Sequence, residues 1–113
     1  DLGRKMPLKS VSVRFLQSVA DGMVQPRRVE CLVSNDGKTF RLLAASVIDV
    51  PIDRDSKGLS VKPRVLRPEP NQGNASNHAR FVRLHVESPG ALPAWHPAAD
   101  NPSWLFVDEI VVE

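Results

Sequence analysis

An alternation of apolar and polar residues with period two restricts this chain more than any other feature. In Val11-Ser12-Val13-Arg14-Phe15 the apolar residues share one parity and the polar residues the other. Successive side chains of a strand point to opposite faces, so the segment reads as a half-buried strand. Val29, Cys31 and Val33 repeat the pattern, and so do Val82, Leu84 and Val86, with Phe81, Arg83 and His85 on the opposite parity. Val33 leads into Asn35-Asp36-Gly37, and Phe40, Leu42 and Ala44 lead out of it. Asp-Gly supplies the positive backbone angles of a tight hairpin, so the two flanking strands are expected to pair antiparallel. Ser46 to Asp53 reads as a further strand pushed to a sheet edge by Pro51, and Val61 to Leu66 as a short one. The polar run from Asn71 to Asn77 reads as a surface loop. No helical period is sustained. Five to seven short strands separated by turn signals indicate an all-β, antiparallel β-sandwich. An immunoglobulin-type sandwich is disfavoured by a single cysteine and the absence of tyrosine.

The chain of 113 residues suits one core and one domain, residues 1–113. Its 42% hydrophobic and 25% charged residues are those of an ordinary globular protein. No apolar run approaches the roughly 20 residues of a membrane helix, so no membrane partner is expected. Fifteen basic residues against thirteen acidic ones leave a net charge of only +2, scattered along the chain, which argues against nucleic acid. Cys31, the lone cysteine, alternates with Val29 and Val33 and reads as a small buried hydrophobe. The sequence opens on Asp1-Leu2-Gly3 and closes at Glu113 directly after Ile110-Val111-Val112, as a domain excised from a larger protein would.

The last strand breaks its own alternation. Leu105 and Val107 lie on one parity, Ile110 and Val112 on the other. A bulge near Asp108-Glu109 would return both pairs to one face and re-aim a carboxylate. The rival phase joins Trp104, Phe106, Ile110 and Val112 without a bulge, at the cost of an inward Asp108. The bulge is the simpler repair.

Taken in order, "DLG…SVSVRFLQ", "VECLVSNDGKTFRLLA", "ARFVRLHV" and "WLFVDEIVVE" resemble the galactose-binding-like superfamily, also called discoidin or coagulation factor 5/8 type C. In particular they are similar to the C-terminal accessory domain of bacterial family-20 β-N-acetylhexosaminidases. The resemblance covers most of the chain and is weakest from Arg54 to Asn77. It implies a galactose-binding-like jelly roll that lacks its N-terminal strands here. It also implies a non-catalytic role beside a catalytic domain of the same chain, and a secreted or periplasmic setting. A structural calcium ion is the one cofactor it implies, with Glu109 as the matching ligand. Calcium takes six to eight oxygens, and most of the others would come from the missing N-terminal segment. The competing expectation is an ion pair of Asp108 or Glu109 with an arginine. Missing strands would also leave open sheet edges, through which a dimer could form. One departure from the family is the turn after His96-Pro97, where Ala98-Ala99-Asp100 replaces a glycine-rich version and frees the backbone less.

Trp95, His96, Asn101 and Trp104 are the candidate carbohydrate-binding residues. The apolar C–H face of a sugar lies well on an indole, and a ring nitrogen and an amide can bond its hydroxyls. Pro93 and Pro97 flank Ala94-Trp95-His96 and lower the ordering cost of binding. The alternatives are that Trp95 or Trp104 folds back to close the sandwich, or that the loop contacts the catalytic domain. Arg80 and Arg83 read as a solvated face or as a wall beside a glycan. His78, His85 and His96 lack any zinc-site spacing. No nucleophile elbow, phosphate loop or dinucleotide fingerprint is present. Asp49, Asp53, Asp55, Asp108 and Glu109 fall at turns or on one strand without the convergence that glycoside hydrolysis needs, so catalysis is not expected of this domain.

Overall fold

The computed structural model describes residues 1–48, 52–68 and 77–113. Its strands, in chain order, are β1 (Met6–Pro7), β2 (Val11–Gln17), β3 (Arg28–Ser34), β4 (Arg41–Val47), β5 (Ser60–Leu66), β6 (His78–Ala79), β7 (Phe81–Glu87) and β8 (Phe106–Val112). Two three-stranded sheets, β5-β2-β8 and β4-β3-β7, are joined by a short β1-β6 ladder, and every named pairing is antiparallel. The architecture is all-β and sandwich-like. The expected strand from Ser46 does not stand alone: Ser46 and Val47 close β4, Ile52 and Asp53 belong to no strand, and Asp49 to Pro51 lie outside the described residues. The polar run from Asn71 to Ser76 lies outside them as well.

The central strands carry the core. Val11, Val13 and Phe15 of β2 and Val29, Cys31 and Val33 of β3 have no accessible surface and belong to one apolar cluster. Burying each valine or phenylalanine stabilises the fold by about 1.5–3 kcal/mol. Desolvation pushes the Cys31 thiol up to about 11, as suits a packing residue rather than a nucleophile. Leu8 and Ala79 close one end of the cluster, held there by the Leu8 N–H bond to Asn77 O and by the β1-β6 ladder.

Each sheet contains one register shift. Between β2 and β8, Arg14 pairs with Glu109 and Phe15 with Val107, so Asp108 is the extra residue of a bulge. Val107, Ile110 and Val112 therefore share the side of β2's buried residues, as the broken alternation requires. Only Val112 packs on the core, however, because β8 is an edge strand and Val107 and Ile110 remain about half exposed, at 47% and 52%. Between β3 and β4, Cys31 pairs with Ala44 and Leu32 with Leu42, which leaves Leu43 as the additional residue. Leu43 is therefore buried and Leu42 exposed.

The β3-β4 connection is longer than a two-residue hairpin, and Asp36 organises it. Its carboxylate accepts the Lys38 and Thr39 N–H groups and the Ser34 hydroxyl. Gly37 follows at φ +76°, with the Phe81 ring lying where a Cβ would sit, 3.2 Å away. A side chain there would meet both a backbone and a packing penalty.

Candidate functional site

The end of the molecule opposite the β1-β6 ladder is built from three connections: 18–27, 52–59 and 88–105. The 88–105 connection folds on itself through Leu92 N–H to Asn101 O, His96 N–H to Pro93 O and Asn101 N–H to Ala98 O. Ser103 adds two bonds to Gly90 O, from its backbone N–H and its hydroxyl. Asp100 sits at φ +70°, the one non-glycine with positive φ among the described residues. In the turn after His96-Pro97, an aspartate thus takes up the backbone angle that glycine reaches most cheaply.

Two contacts dock this connection on the turn after β2. His96 is buried, its Nε2 is 2.5 Å from Val19 O, and its Nδ1 accepts the Ala98 N–H at 3.0 Å. Those partners make it the Nε2–H tautomer and occupy both ring nitrogens. Trp104 continues the contact through its backbone, donating to Gly22 O and accepting from Val24 N–H. Gly22, at φ +76°, permits this approach, since a Cβ there would lie 3.3 Å from Leu92 Cδ1.

The two tryptophans differ in environment. Trp95 is half-buried, its ring tilted against His96 at 5.9 Å, with the Arg54 guanidinium 6.0 Å from its centroid. Trp104 is 63% exposed and leans toward Phe106 at 6.4 Å. Trp104 does not fold back as a plug. It forms one wall of a groove of about 500 Å³ that also meets Asp21, Asn101 and Ser103, over a floor that includes Leu92 and Pro102. Asn101 uses its amide N–H toward Ala98 O. Asp21 accepts the Ser18 hydroxyl on one oxygen and is exposed. Two of the four sequence-derived sugar residues, Asn101 and Trp104, therefore share a groove, whereas His96 anchors the loop beneath it and Trp95 stacks beside that anchor. Asp21 was not singled out in the sequence. Its signal was a second Asp-Gly pair, Asp21-Gly22, mirroring Asp36-Gly37.

Glu109 and Asp108 both pair with Arg14 on the outer face of the β5-β2-β8 sheet; the Arg14 Nη1 to Glu109 Oε2 distance is 3.3 Å. The guanidinium's pKa is raised, chiefly by its hydrogen bond to Asp108. Among the described residues no group of three or more His, Cys, Asp or Glu side chains converges on a point where a metal ion would sit. With its carboxylate turned to a guanidinium, Glu109 does not fit a calcium site built from these residues. On the other sheet, Arg83 stacks on Phe40 at 3.9 Å, and Arg80 pairs with Asp1 while lying over Phe81.

A second cavity, also about 500 Å³, opens between the 18–27 and 52–59 connections. Gln17, Gln25 and Ser56 form one wall as a hydrogen-bonded series: Gln25 Nε2 to Gln17 Oε1 at 3.0 Å, then Gln17 Nε2 to Ser56 Oγ at 3.3 Å. No helix of the described residues is long and apolar enough to cross a membrane. The fold and its loops thus define an all-β domain with ligand-sized recesses at one end. No protein-family model matches the chain, and no curated protein matches its sequence.

Proposed function

We propose that this chain is a galactose-binding-like accessory domain of a secreted or periplasmic bacterial glycoside hydrolase, of the β-N-acetylhexosaminidase kind, and that it binds terminal sugars without catalysing their hydrolysis. The observation that carries the reading is the exposed Trp104 indole beside Asp21 and Asn101 in a groove of monosaccharide dimensions. A sugar ring stacks its C–H face on an indole, and a carboxylate and an amide take its hydroxyls. Calorimetric titration of the isolated domain with galactose- and N-acetylhexosamine-ended glycans tests it. Weak binding lost at least tenfold in Trp104→Ala is the expected result, and no heat from any member of the panel would overturn it. The same samples are expected not to turn over aryl-glycosides.

A second reading is a structural module that packs on the catalytic domain. It draws on the outer face of the β5-β2-β8 sheet. There Val65, Ser12 and Val111 form one row, and Val61, Leu16 and Phe106 another, on either side of the row containing Arg14 and Glu109. Val61, Val65 and Phe106 are each more than 40% exposed, an apolar patch of the kind interfaces cover. This reading predicts no sugar binding, and a catalytic domain that melts earlier when Leu16 and Phe106 are both replaced by serine.

A further inference from the structure

The cavity between the 18–27 and 52–59 connections has a chemistry unlike that of the Trp104 groove. Its charged lining residues are Lys62, Arg27 and Asp53. Lys62 pairs across the sheet with Phe15 and Arg64 with Val13, so both cations leave β5 on the side of the buried core. Arg64 is only 4% exposed. Its Nη2 donates to the carbonyl of Pro26, a residue of the cavity wall, at 2.8 Å, while its Nε and Nη1 have no partner among the described residues. Burial lowers its pKa. Lys62 makes no ion pair among the described residues. Asp53, the one carboxylate of the lining, lies beyond salt-bridge distance of either cation and accepts the Asp55 N–H instead.

Arg64 is buried with its Nη2 on Pro26 O, and Lys62, on the same side of β5, lines the cavity without an ion pair among the described residues. Lys62 and Arg27 against the single carboxylate of Asp53 leave the recess with a positive potential that favours an anionic ligand. The neighbouring wall specifies the rest of the ligand. With Gln25 donating to Gln17 and Gln17 to Ser56, the Gln25 carbonyl remains an acceptor and the Ser56 hydroxyl proton a donor, both fixed in orientation by the series. Amide and hydroxyl groups beside a cation match a polyhydroxylated carboxylate. A volume of about 500 Å³ admits one sugar-sized unit.

We propose that this cavity is a second binding site, specific for a small hydroxylated carboxylate of the uronic acid class, with the carboxylate on Lys62 and the hydroxyls on the Gln25-Gln17-Ser56 wall. The site does not rest on the sugar reading of the Trp104 groove, and the two fail separately.

The test is titration of the isotope-labelled domain with glucuronate, followed by amide chemical shifts, with glucose as the neutral counterpart. Glucuronate is expected to shift the amides of Gln17, Gln25 and Ser56 and to bind at least tenfold more tightly than glucose. Lys62→Met is expected to weaken glucuronate at least tenfold, and Trp104→Ala to leave it unchanged. Equal affinity for glucuronate and glucose, no shift at these amides, or full binding by Lys62→Met would each overturn the proposal. Should Lys62→Met fail to fold, glucuronate binding to the wild type is expected to weaken at least fivefold between 50 and 500 mM sodium chloride, about the range over which ionic screening becomes strong. Binding indifferent to salt would overturn it equally.

Discussion

The two sheets distribute polarity in opposite ways. The β4-β3-β7 sheet is conventional: Val29, Cys31, Val33, Leu43 and the partly buried Val82, Leu84 and Val86 face the core. Arg28, Glu30, Arg83 and His85 occupy its other face, with Leu42 and Val47 exposed among them. The β5-β2-β8 sheet departs from that rule at its edges. Its edge strand β5 sends Lys62 and Arg64 inward and Val61 and Val65 outward, while β8 sets Phe106 beside Leu16 on the outside. An exposed apolar residue standing alone calls for no explanation, whereas a buried polar one does. Here both occur on one strand. The ordinary sheet is explained by folding alone; the inverted edge of the other leaves cost on both of its faces, and those faces carry the proposed interface and the proposed ligand cavity.

The contrast breaks most visibly if position in the sheet does not decide energetic weight. Phe15→Ala removes a ring with no accessible surface and is expected to cost about 3–5 kcal/mol in chemical denaturation. Phe106→Ala, 43% exposed on the outer face, is expected to cost about 0.5 kcal/mol or less. Similar losses for the two would mean that the outer face contributes to the domain's own stability and needs no partner.

The inward charge can be tested next. Replacing a buried, incompletely bonded cation by a flexible apolar side chain of similar length removes its desolvation cost. Arg64→Met is therefore expected to raise stability by about 1–3 kcal/mol despite losing the bond to Pro26 O. A comparable loss would show that the guanidinium holds the 18–27 connection in place, and that the inverted edge is structural rather than reserved for a ligand.

The sequence disclosed the ordinary sheet far better than the inverted one. Val29, Cys31 and Val33 alternate cleanly and are buried as their pattern demands. The broken parity around Asp108 announced a bulge because both of its flanks were apolar. The bulge at Leu43 was illegible: in Arg41-Leu42-Leu43-Ala44 two adjacent leucines satisfy either phase, and only the pairing of Leu32 with Leu42 selects one. Within β5, Val61, Pro63 and Val65 would be the natural apolar face, and the structure buries the opposite parity, ending in Arg64 and Leu66. That inversion depends on what lies across the sheet, which no local pattern records. The candidate site was legible as a set of residue types but not as a set of contacts. Trp104 and Asn101 meet in a groove, and His96, chosen for its ring nitrogens, spends both of them on the backbone.

The smallest expected effect separates the two sheets by their response to acid. The carboxylates of the β5-β2-β8 sheet pair with Arg14 across strands, whereas Asp36 in the β4-β3-β7 sheet acts locally, within one turn. Bonds from the Thr39 and Lys38 N–H groups and the Ser34 hydroxyl hold the Asp36 carboxyl at about 2, below its ordinary 3.8. A depressed folded-state pKa means that the unfolded chain takes up the proton first. The contribution of Asp36 is therefore complete above about pH 4, near the unfolded value. It declines as the pH falls through about 2. Asp36→Asn keeps an acceptor oxygen for the turn but cannot titrate. Its denaturation midpoint is expected to fall less steeply than the wild type's from about pH 4 to 2, a window set by the unfolded carboxyl value and the folded one. If the two midpoints instead ran parallel across that window, the acid sensitivity of the fold would not originate in the β3-β4 turn.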